Sequence, residues 1–317
     1  MRLKKFNILN TIICLSILLF IYILSLFYNS HIQLGTTKFF KYDLYEEKSI
    51  SIVNLGSSHG FYGIKYLDNK AINLAKDSQI IYYDLKLLEK YKSKLRDDAI
   101  IIIPISIFTF YSNNSDEINK NYITLLSFKD IKNIKFSEWI MGKYFSIFYP
   151  PQRIIETVNF IKKNGIYKKI FYTERKDLER IRLKEESEET VKRHMEKERD
   201  RNGILIKNAE RDIYNLIDFI NENNWKIVFI TTPFSYFYNE GIENIDPNAY
   251  KERIYDNIKN LEEKYNKKYL YLDYSHDERF ENKLEYFFDD DHLNKKGAEY
   301  FTKVLLKDIE KNAYRIQ

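Results

Sequence analysis

A short segment with two serines, Gly56-Ser57-Ser58-His59-Gly60, directly follows the apolar run from Ser49 to Leu55. The apolar run predicts a buried strand, and Gly56 predicts the turn that ends it. A serine at a sharp strand-to-helix turn exposes its hydroxyl at the carboxyl end of the sheet, where doubly wound folds bind ligands. The segment therefore predicts a nucleophilic serine, although an ordinary turn has the same Gly-Ser composition.

An acidic segment with one histidine, Asp289-Asp290-Asp291-His292-Leu293-Asn294, precedes an amphipathic stretch from Lys295 to Leu306. Asp289 and His292 are three residues apart, so both side chains can point the same way in a turn or helix. An aspartate that accepts a hydrogen bond from one imidazole nitrogen leaves the other nitrogen to take a serine proton. The spacing thus suits the base and the orienting acid of a Ser-His-Asp triad.

Two other interpretations of the acidic segment stay open. Asn294 can cap the helix that follows, which gives the segment a purely structural role. Three carboxylates and a histidine can also bind a cation. We expect no metal and no cofactor, because the sequence contains no other His/Asp cluster of matching spacing that would supply further ligands.

The elements that must position these residues alternate along the chain. Short apolar runs alternate with stretches of helical spacing, and they predict strands at Ser49 to Leu55, Ala71 to Leu74, Ala99 to Ile105, Trp225 to Thr231 and Lys268 to Leu272. The third run is continuously apolar, as in a strand buried on both faces of a parallel sheet. The alternation predicts an α/β fold, a three-layer α/β/α arrangement with a doubly wound, flavodoxin-like parallel sheet of about five strands.

A different pattern occupies residues 113–221, where no convincing buried strand occurs. Residues 174–201 form a run of charges of alternating sign, which is typical of a solvated helix face with i,i+4 pairs. A partner-binding surface is the alternative for this run. We predict a helical insertion at about 113–221 within one catalytic domain, residues 49–317.

The N-terminus predicts a membrane anchor. Arg2, Lys4 and Lys5 precede an uncharged apolar stretch from Phe6 to about Tyr28, whose length of roughly 20 residues matches a bilayer-spanning helix. No small-residue cleavage site follows, so an uncleaved signal anchor within residues 1–30 is favoured over a signal peptide, and a buried core helix is the alternative. Because positive charge before the span keeps the N-terminus inside, a connector at 31–48 and the domain after it are expected outside the cytoplasmic membrane.

Composition excludes several function classes. The formal net charge is +5, but the 51 basic residues are spread among 46 acidic ones rather than gathered in one stripe, so nucleic-acid binding is not expected. The only cysteine, Cys14, lies inside the apolar stretch. A disulfide framework, a cysteine nucleophile and a cysteine-based zinc site are therefore excluded from the exported part.

Both segments resemble sequence blocks of the SGNH (GDSL-like) hydrolases and acyltransferases. In the first block of that family the serine two places after the glycine is the nucleophile, which assigns the role to Ser58 rather than Ser57. The stretch FFDDDHLNKKGAEYF (287–301) is similar to the final block, whose D-x-x-H implies that Asp289 and His292 complete the triad. The resemblance spans about residues 50–310, with IVFITTP (227–233) and YLDYS (271–275) similar to later strands.

The chain departs from the family at two places. Ser57 stands where the family has an aspartate, and Pro104-Ile105-Ser106-Ile107 replaces the G-x-N-D block that supplies an asparagine to the oxyanion. The expected oxyanion donors are then the backbone N–H of Ser58, a backbone N–H near Asp77 or Ser78, and the Ser106 hydroxyl. Gly56 and Gly60 allow close approach at the turn, and His59 is a candidate for lining the acyl pocket.

This pattern is similar to a membrane-anchored branch of the family that includes alginate O-acetylation and teichoic-acid D-alanyl-transfer proteins. The resemblance implies an extracytoplasmic esterase or O-acyltransferase that acts on a cell-envelope polysaccharide or other glycopolymer through an acyl-enzyme. It implies an acyl donor and a glycan as partners, with an integral-membrane O-acyltransferase as a further one. The missing G-x-N-D block motivates an alternative, a catalytically inactive binding or assembly protein of the cell envelope.

Overall fold

A computed structural model describes residues 2–31, 37–66, 70–110, 122–148, 180–196 and 207–313, together with 154–155, 158–159 and 162. The chain divides into two compact units. The smaller unit comprises Met1–Leu44 and Ser115–Thr173, and the larger one comprises Tyr45–Asn114 and Glu174–Gln317.

The larger unit contains a five-stranded parallel sheet. Its strands are β1 (Ile50–Asn54), β2 (Ala71–Asn73), β3 (Leu95–Pro104), β4 (Lys226–Thr231) and β5 (Leu270–Asp273). Their spatial order is β2-β1-β3-β4-β5, the order of a flavodoxin-like doubly wound sheet. The predicted fold class is therefore confirmed, and the strand order reverses between β1 and β3, where such folds bind ligands.

The described residues also form α-helices on both faces of this sheet and in the smaller unit. They are α1 (Arg2–His31), α2 (Thr37–Tyr42), α3 (Ser58–Gly63), α4 (Ile81–Tyr91), α5 (Phe136–Tyr144), α6 (Arg180–Glu196), α7 (Lys207–Glu222), α8 (Tyr236–Ile245), α9 (Asp256–Tyr265) and α10 (Lys295–Lys311). A wide π-turn, Lys251–Tyr255, leads into α9, and single 3₁₀ turns lie at Lys92–Lys94, Phe128–Asp130, Ser146–Phe148 and Leu284–Tyr286.

One core lies between the sheet and α10. Side chains of β3, β4 and β5 meet α10 there, among them Ile102, Val228, Leu270, Phe301 and Leu305. Strand β3 starts earlier than the apolar run predicted, because Leu95 pairs with Ile50 across a register shift even though the polar residues at 96–98 are exposed. Burial of both faces of β3 is what its unbroken isoleucine run predicts.

Helix α6 is the described part of the charged run, of which residues 174–179 and 197–201 lie outside the described residues. Among the side chains of α6 that the structure describes, those of residues 184–195, the charged ones are largely exposed. Five others form a buried stripe: Ser187, Thr190, Val191, His194 and Met195. That stripe packs on α8, and a Cβ added at Gly241 of α8 would lie 3.0 Å from Val191 Cγ2. The alternating charges thus cover one face of a helix whose other face is packed.

Helix α1, in the smaller unit, contains a segment, Ile8–Asn29, that is long and apolar enough to cross a membrane, with a mean hydropathy of 2.5. Most large apolar side chains of this segment are exposed, for example Leu15 at 60% and Phe20 at 61%, whereas Tyr28 near its end is buried. A helix in the core of a soluble domain buries such side chains, so this exposure favours the predicted anchor over a core helix.

Candidate active site

The turn that carries the two serines is held by backbone and side-chain hydrogen bonds. Gly56 has a φ of +102°, which favours glycine, and a Cβ there would lie 3.2 Å from the ring of Pro104. The Gly56 N–H donates to Asp84 Oδ1 at 2.6 Å, and the Gly56 carbonyl accepts from the backbone of Lys76 at 3.2 Å. The turn after β1 is thereby fixed to α4 and to the segment that follows β2.

Two buried asparagines hold the short helix α3 that follows. The amide of Asn54 donates to the carbonyl of Gly60 at 3.1 Å, and the amide of Asn73 donates to the carbonyls of Gly60 and Ile64 at 2.9 and 2.8 Å. These bonds satisfy carbonyls that a helix end leaves without partners. Ser58 is the first residue of α3 and is half-buried.

The segment before α10 brings Asp289 and His292 together. Both carboxylate oxygens of Asp289 lie 3.0 Å from Nδ1 of His292, and Oδ1 also accepts the backbone N–H of His292 at 2.8 Å. A carboxylate can only accept, so Nδ1 carries a hydrogen. Asn294 caps α10 by accepting the N–H of Gly297 at 3.0 Å, so the segment has the structural role as well.

Aromatic rings enclose the imidazole of His292. The Phe288 ring lies parallel to it at 5.5 Å between centroids, and the Tyr62 ring lies edge-on at 5.3 Å. The ring of His59 lies at 5.0 Å. The hydrogen bonds at Nδ1 and the three neighbouring rings together restrict the orientation of the imidazole.

His292 Nε2 is buried and has no hydrogen-bond partner among the described residues. His292 and Ser58 line the same cavity, which has a volume of about 570 Å³. No hydrogen bond joins Ser58 to His292 in the described part of the chain. Because Nδ1 carries a hydrogen, Nε2 of the neutral imidazole has a lone pair that bonds to no described residue.

The remaining predicted site residues fall into two groups. Ser57, Asp77 and Ser78 line the cavity with Ser58. His59 and Ser106 are both buried at 3% exposure and are not among the residues that line it. The Ser106 hydroxyl lies 2.7 Å from Nδ1 of His59 and is bonded there rather than directed at the cavity. Gly56, the last predicted residue, donates its N–H to Asp84, so this N–H is not directed at the cavity either.

Several residues of this site are not indicated by the sequence pattern. Asp291 lies 2.8 Å from His292 Nδ1, closer than Asp289 does. Helix α6 also lines the cavity, through Glu186, Glu189, Thr190, Arg193 and His194. Nothing in the local pattern of the charged run indicates that it lies over the serine, since that placement depends on the packing of α6 against α8.

Burial and charge shift the ionisation of these groups in opposite directions. Burial alone would lower the pKa of His292, but the charges of Asp291 and Asp289 and the hydrogen bonds they accept raise it well above its ordinary value. Burial lowers the pKa of His59. Burial and the negative charges of Asp291 and Asp289 raise the pKa of Asp290 to about 8.

Two groups of side chains bring potential metal ligands within 4.8 Å of one another: His59 with Asp291 and His292, and Asp289 with Asp290 and Asp291. In the first group both imidazoles already hydrogen-bond to Asp291. The second is an acidic cluster whose members lie next to an imidazole of raised pKa.

No family model matches the chain, and neither does any curated protein. Among solved structures it is similar to one from Bacteroides fragilis NCTC 9343 that is provisionally named an acylhydrolase. That alignment covers 89% of this chain and 96% of the other, with 10% sequence identity and a TM-score of 0.40. A similarity of this degree assigns no activity to the chain.

Proposed function

We propose that this protein is a serine-dependent acyl-ester hydrolase or O-acyltransferase of the SGNH type, with Ser58 as nucleophile, His292 as general base and Asp289 as orienting acid. The observation that carries the proposal is how His292 is hydrogen-bonded and where its ring lies. Its Nδ1 is held by carboxylates, its Nε2 has no partner among the described residues, and its ring lines the cavity that Ser58 also lines. That is the arrangement a general base needs before substrate binds.

In the first half-reaction, His292 Nε2 takes the proton of the Ser58 hydroxyl while Oγ bonds to the carbonyl carbon of an acyl ester. The tetrahedral intermediate collapses, the ester C–O bond breaks, and the leaving alcohol takes the proton from His292. An acyl-serine remains. The loop that follows β2, with Asp77 and Ser78, and the backbone N–H of Ser58 are the proposed surroundings of the oxyanion.

In the second half-reaction, a hydroxyl group attacks the carbonyl carbon of the acyl-serine and gives its proton to His292. The bond between Ser58 Oγ and the acyl carbon then breaks, and the leaving Oγ takes that proton from His292. Water as acceptor makes the protein an esterase. A glycan hydroxyl makes it an O-acyltransferase. The proposed acceptor is a cell-envelope polysaccharide or glycopolymer, because α1 would tether the site beside a bacterial cytoplasmic membrane where such polymers are assembled. An integral-membrane O-acyltransferase is a proposed donor partner.

The test is intact-protein mass spectrometry of the full chain in detergent after exposure to a fluorophosphonate. We expect one adduct in the native protein, none in Ser58→Ala, and the native result in Ser57→Ala, whose serine lines the same cavity one residue away. No adduct in any of the three folded proteins would overturn the proposal.

A second candidate is a catalytically inactive binding or assembly protein of the cell envelope. It is favoured by the lack of a hydrogen bond between Ser58 and His292 in the described residues and by Ser106 being bonded to His59 rather than facing the cavity. This candidate predicts that retention on immobilised envelope glycopolymer is unchanged in Ser58→Ala. Absence of a fluorophosphonate adduct in the native protein, together with glycopolymer binding, would select it.

A further inference from the structure

Asp291 is the carboxylate that lies closest to Nδ1 of His292, and the role inferred for it rests on the proposed function. Asp291 is 3% exposed, and its two oxygens bond to different histidines. Oδ1 lies 2.8 Å from His292 Nδ1, and Oδ2 lies 3.1 Å from His59 Nε2. One buried carboxylate thus joins the proposed base to the residue that follows the proposed nucleophile.

The direction of each hydrogen bond follows from the chemistry of the groups. An ionised carboxylate only accepts, so His59 Nε2 carries the hydrogen that Asp291 receives. Burial lowers the pKa of His59, which keeps the ring neutral, so its Nδ1 has a lone pair. That lone pair accepts the hydroxyl hydrogen of Ser106 at 2.7 Å. The tautomer of His59 is therefore fixed from both sides.

Asp289 also accepts hydrogen bonds from two backbone N–H groups of its own segment. Its Oδ1 receives the backbone N–H of His292 at 2.8 Å and that of Asp291 at 3.3 Å, as in the turn that begins a helix. The Nδ1 hydrogen of His292 is closer to Asp291, at 2.8 Å, than to either oxygen of Asp289, at 3.0 Å. The imidazole therefore has two carboxylate acceptors on one nitrogen.

We propose that Asp291, held in place by His59 and Ser106, is a second positioning carboxylate for His292 and shares with Asp289 the task of directing Nε2 towards Ser58. Ser106 and His59 act only through Asp291 and touch no substrate. Among the described residues, the other titratable groups around Asp291 are Asp289 and Asp290 on the same segment, Tyr238 of α8 and His194 of α6. Nδ1 of His194 is 3.9 Å from Oδ2 of Asp291 and bonds to the Tyr238 hydroxyl at 2.8 Å.

The first test compares Asp289→Asn, Asp291→Asn and the double variant by the rate at which a fluorophosphonate modifies Ser58 across pH, with Asp97→Asn, an exposed surface carboxylate, as control. Removing the single orienting aspartate of a triad costs about 10⁴-fold. We expect each single variant to lose about 10- to 100-fold and the double variant about 10⁴-fold. A full loss in Asp289→Asn with a wild-type rate in Asp291→Asn would overturn the proposal.

The second test is independent of Ser58 reacting. In the full chain labelled with ¹⁵N-histidine, Asp291→Asn should lower the titration midpoint of His292, because a negative charge beside Nδ1 is removed. An unchanged midpoint would overturn the proposal. A missing adduct in the native protein would instead remove the proposed function, while this midpoint would still report on Asp291.

The third test addresses His59. We expect His59→Gln to retain at least a tenth of the native rate, because its amide can donate to Asp291 and accept from Ser106. His59→Leu can do neither, and it should react at least 10-fold more slowly than His59→Gln. If the leucine variant does not fold, Ser106→Ala, which removes only the hydroxyl donor, should reduce the rate about 3- to 10-fold. Wild-type rates in both His59→Leu and Ser106→Ala would contradict the proposed support of Asp291.

Discussion

The backbone N–H of Gly56 donates a 2.6 Å hydrogen bond to Asp84 Oδ1, and this bond connects the turn before Ser58 to the first turn of α4. The side-chain amide of Gln79 donates to the same oxygen at 2.6 Å. Burial of the carboxyl group raises the pKa of Asp84 to about 7, although both hydrogen bonds oppose the increase. Asp84 is therefore a structural support of the proposed nucleophile that changes charge near neutral pH.

Asp84→Asn should preserve this support, whereas Asp84→Ala should not. The asparagine side-chain oxygen can still accept from Gly56, so we expect a free energy of unfolding at pH 8 no lower than that of the native protein. Alanine leaves the buried N–H of Gly56 without this acceptor, which costs about 1–3 kcal/mol. Urea unfolding followed by tryptophan fluorescence measures both, and equal losses in the two variants would contradict the assignment.

The pH dependence of stability gives a separate test of Asp84. Its folded pKa of about 7 is above the ordinary value of 3.8, so the folded protein binds the proton more tightly. This group therefore contributes stability that is fully present below pH ~4 and is lost as the pH rises to about 7. Asp84→Asn should remove that part of the slope, and an unchanged slope in the variant would show that other groups produce it.

Two glycines of α3, Gly60 and Gly63, differ in the space that an added Cβ would find. A Cβ at Gly60 would lie 2.5 Å from the backbone oxygen of Leu55, whereas the nearest atom to a Cβ at Gly63 is Thr232 Cγ2 at 3.4 Å. Gly60→Ala should therefore shift the serine turn, lower the free energy of unfolding by about 1–3 kcal/mol and slow modification of Ser58. Gly63→Ala should be neutral or stabilising by up to about 1 kcal/mol. Thermal unfolding checks the difference, and equal stabilities of the two variants would contradict the close approach of Gly60 to Leu55.

The rate of Ser58 modification should rise with pH through an apparent pKa above 6.5. Only neutral His292 can take the serine proton, and the charges of Asp291 and Asp289 outweigh burial and raise the pKa of this imidazole well above its ordinary value. Below that pKa the rate should increase about tenfold per pH unit. The measurement is the rate of fluorophosphonate adduct formation from pH 6 to 10, with Ser58→Ala as the blank. An apparent pKa at or below 6.5 would contradict the electrostatics described for the site.

If α1 spans the membrane, one charged residue at its centre should weaken membrane attachment. Arginine at the centre of a spanning helix costs about 2.5–3.5 kcal/mol on insertion scales, so Leu18→Arg should reduce the fraction that resists alkaline carbonate extraction. Leu44, which is 85% exposed, provides the control, since Leu44→Arg should extract like the native chain.

A C-terminal alkaline phosphatase fusion tests the predicted orientation, and activity is expected only if the C-terminus lies outside the cytoplasm.

The fold could be predicted because each strand contains a short apolar run that is bounded by polar or turn residues. The limits of elements are less accurate where polar residues enter a strand, as at 96–98 in β3. Irregularity inside a helical stretch is also hard to predict, since the structure has a π-helical segment, Lys251–Tyr255, that runs directly into α9. The π-turn shifts the helical phase, which a search for one regular period does not detect.

The site could be predicted only as far as its contacts are local. Asp289 and His292 are neighbours in sequence, so their spacing alone suggests that they meet. The contact of Asp291 with His59 is made by tertiary folding, and the sequence indicates His59 only as a candidate for lining the acyl pocket. Ser106 is expected from the sequence to donate to the oxyanion, yet its hydroxyl is bonded to His59. A sequence pattern shows which groups are available but not which partner each one bonds in the folded protein.

The hydrogen bond between His59 and Asp291 joins residues separated by 232 positions. Ser58 is thus synthesised long before its proposed base exists. A nascent chain that has emerged only as far as β4 has the serine turn and most of the sheet but neither Asp289 nor His292. Under the proposed export and mechanism, acyl-transfer activity therefore begins only when the last part of the polypeptide has crossed the membrane, and a chain shortened before Asp289 would be inert from synthesis onward.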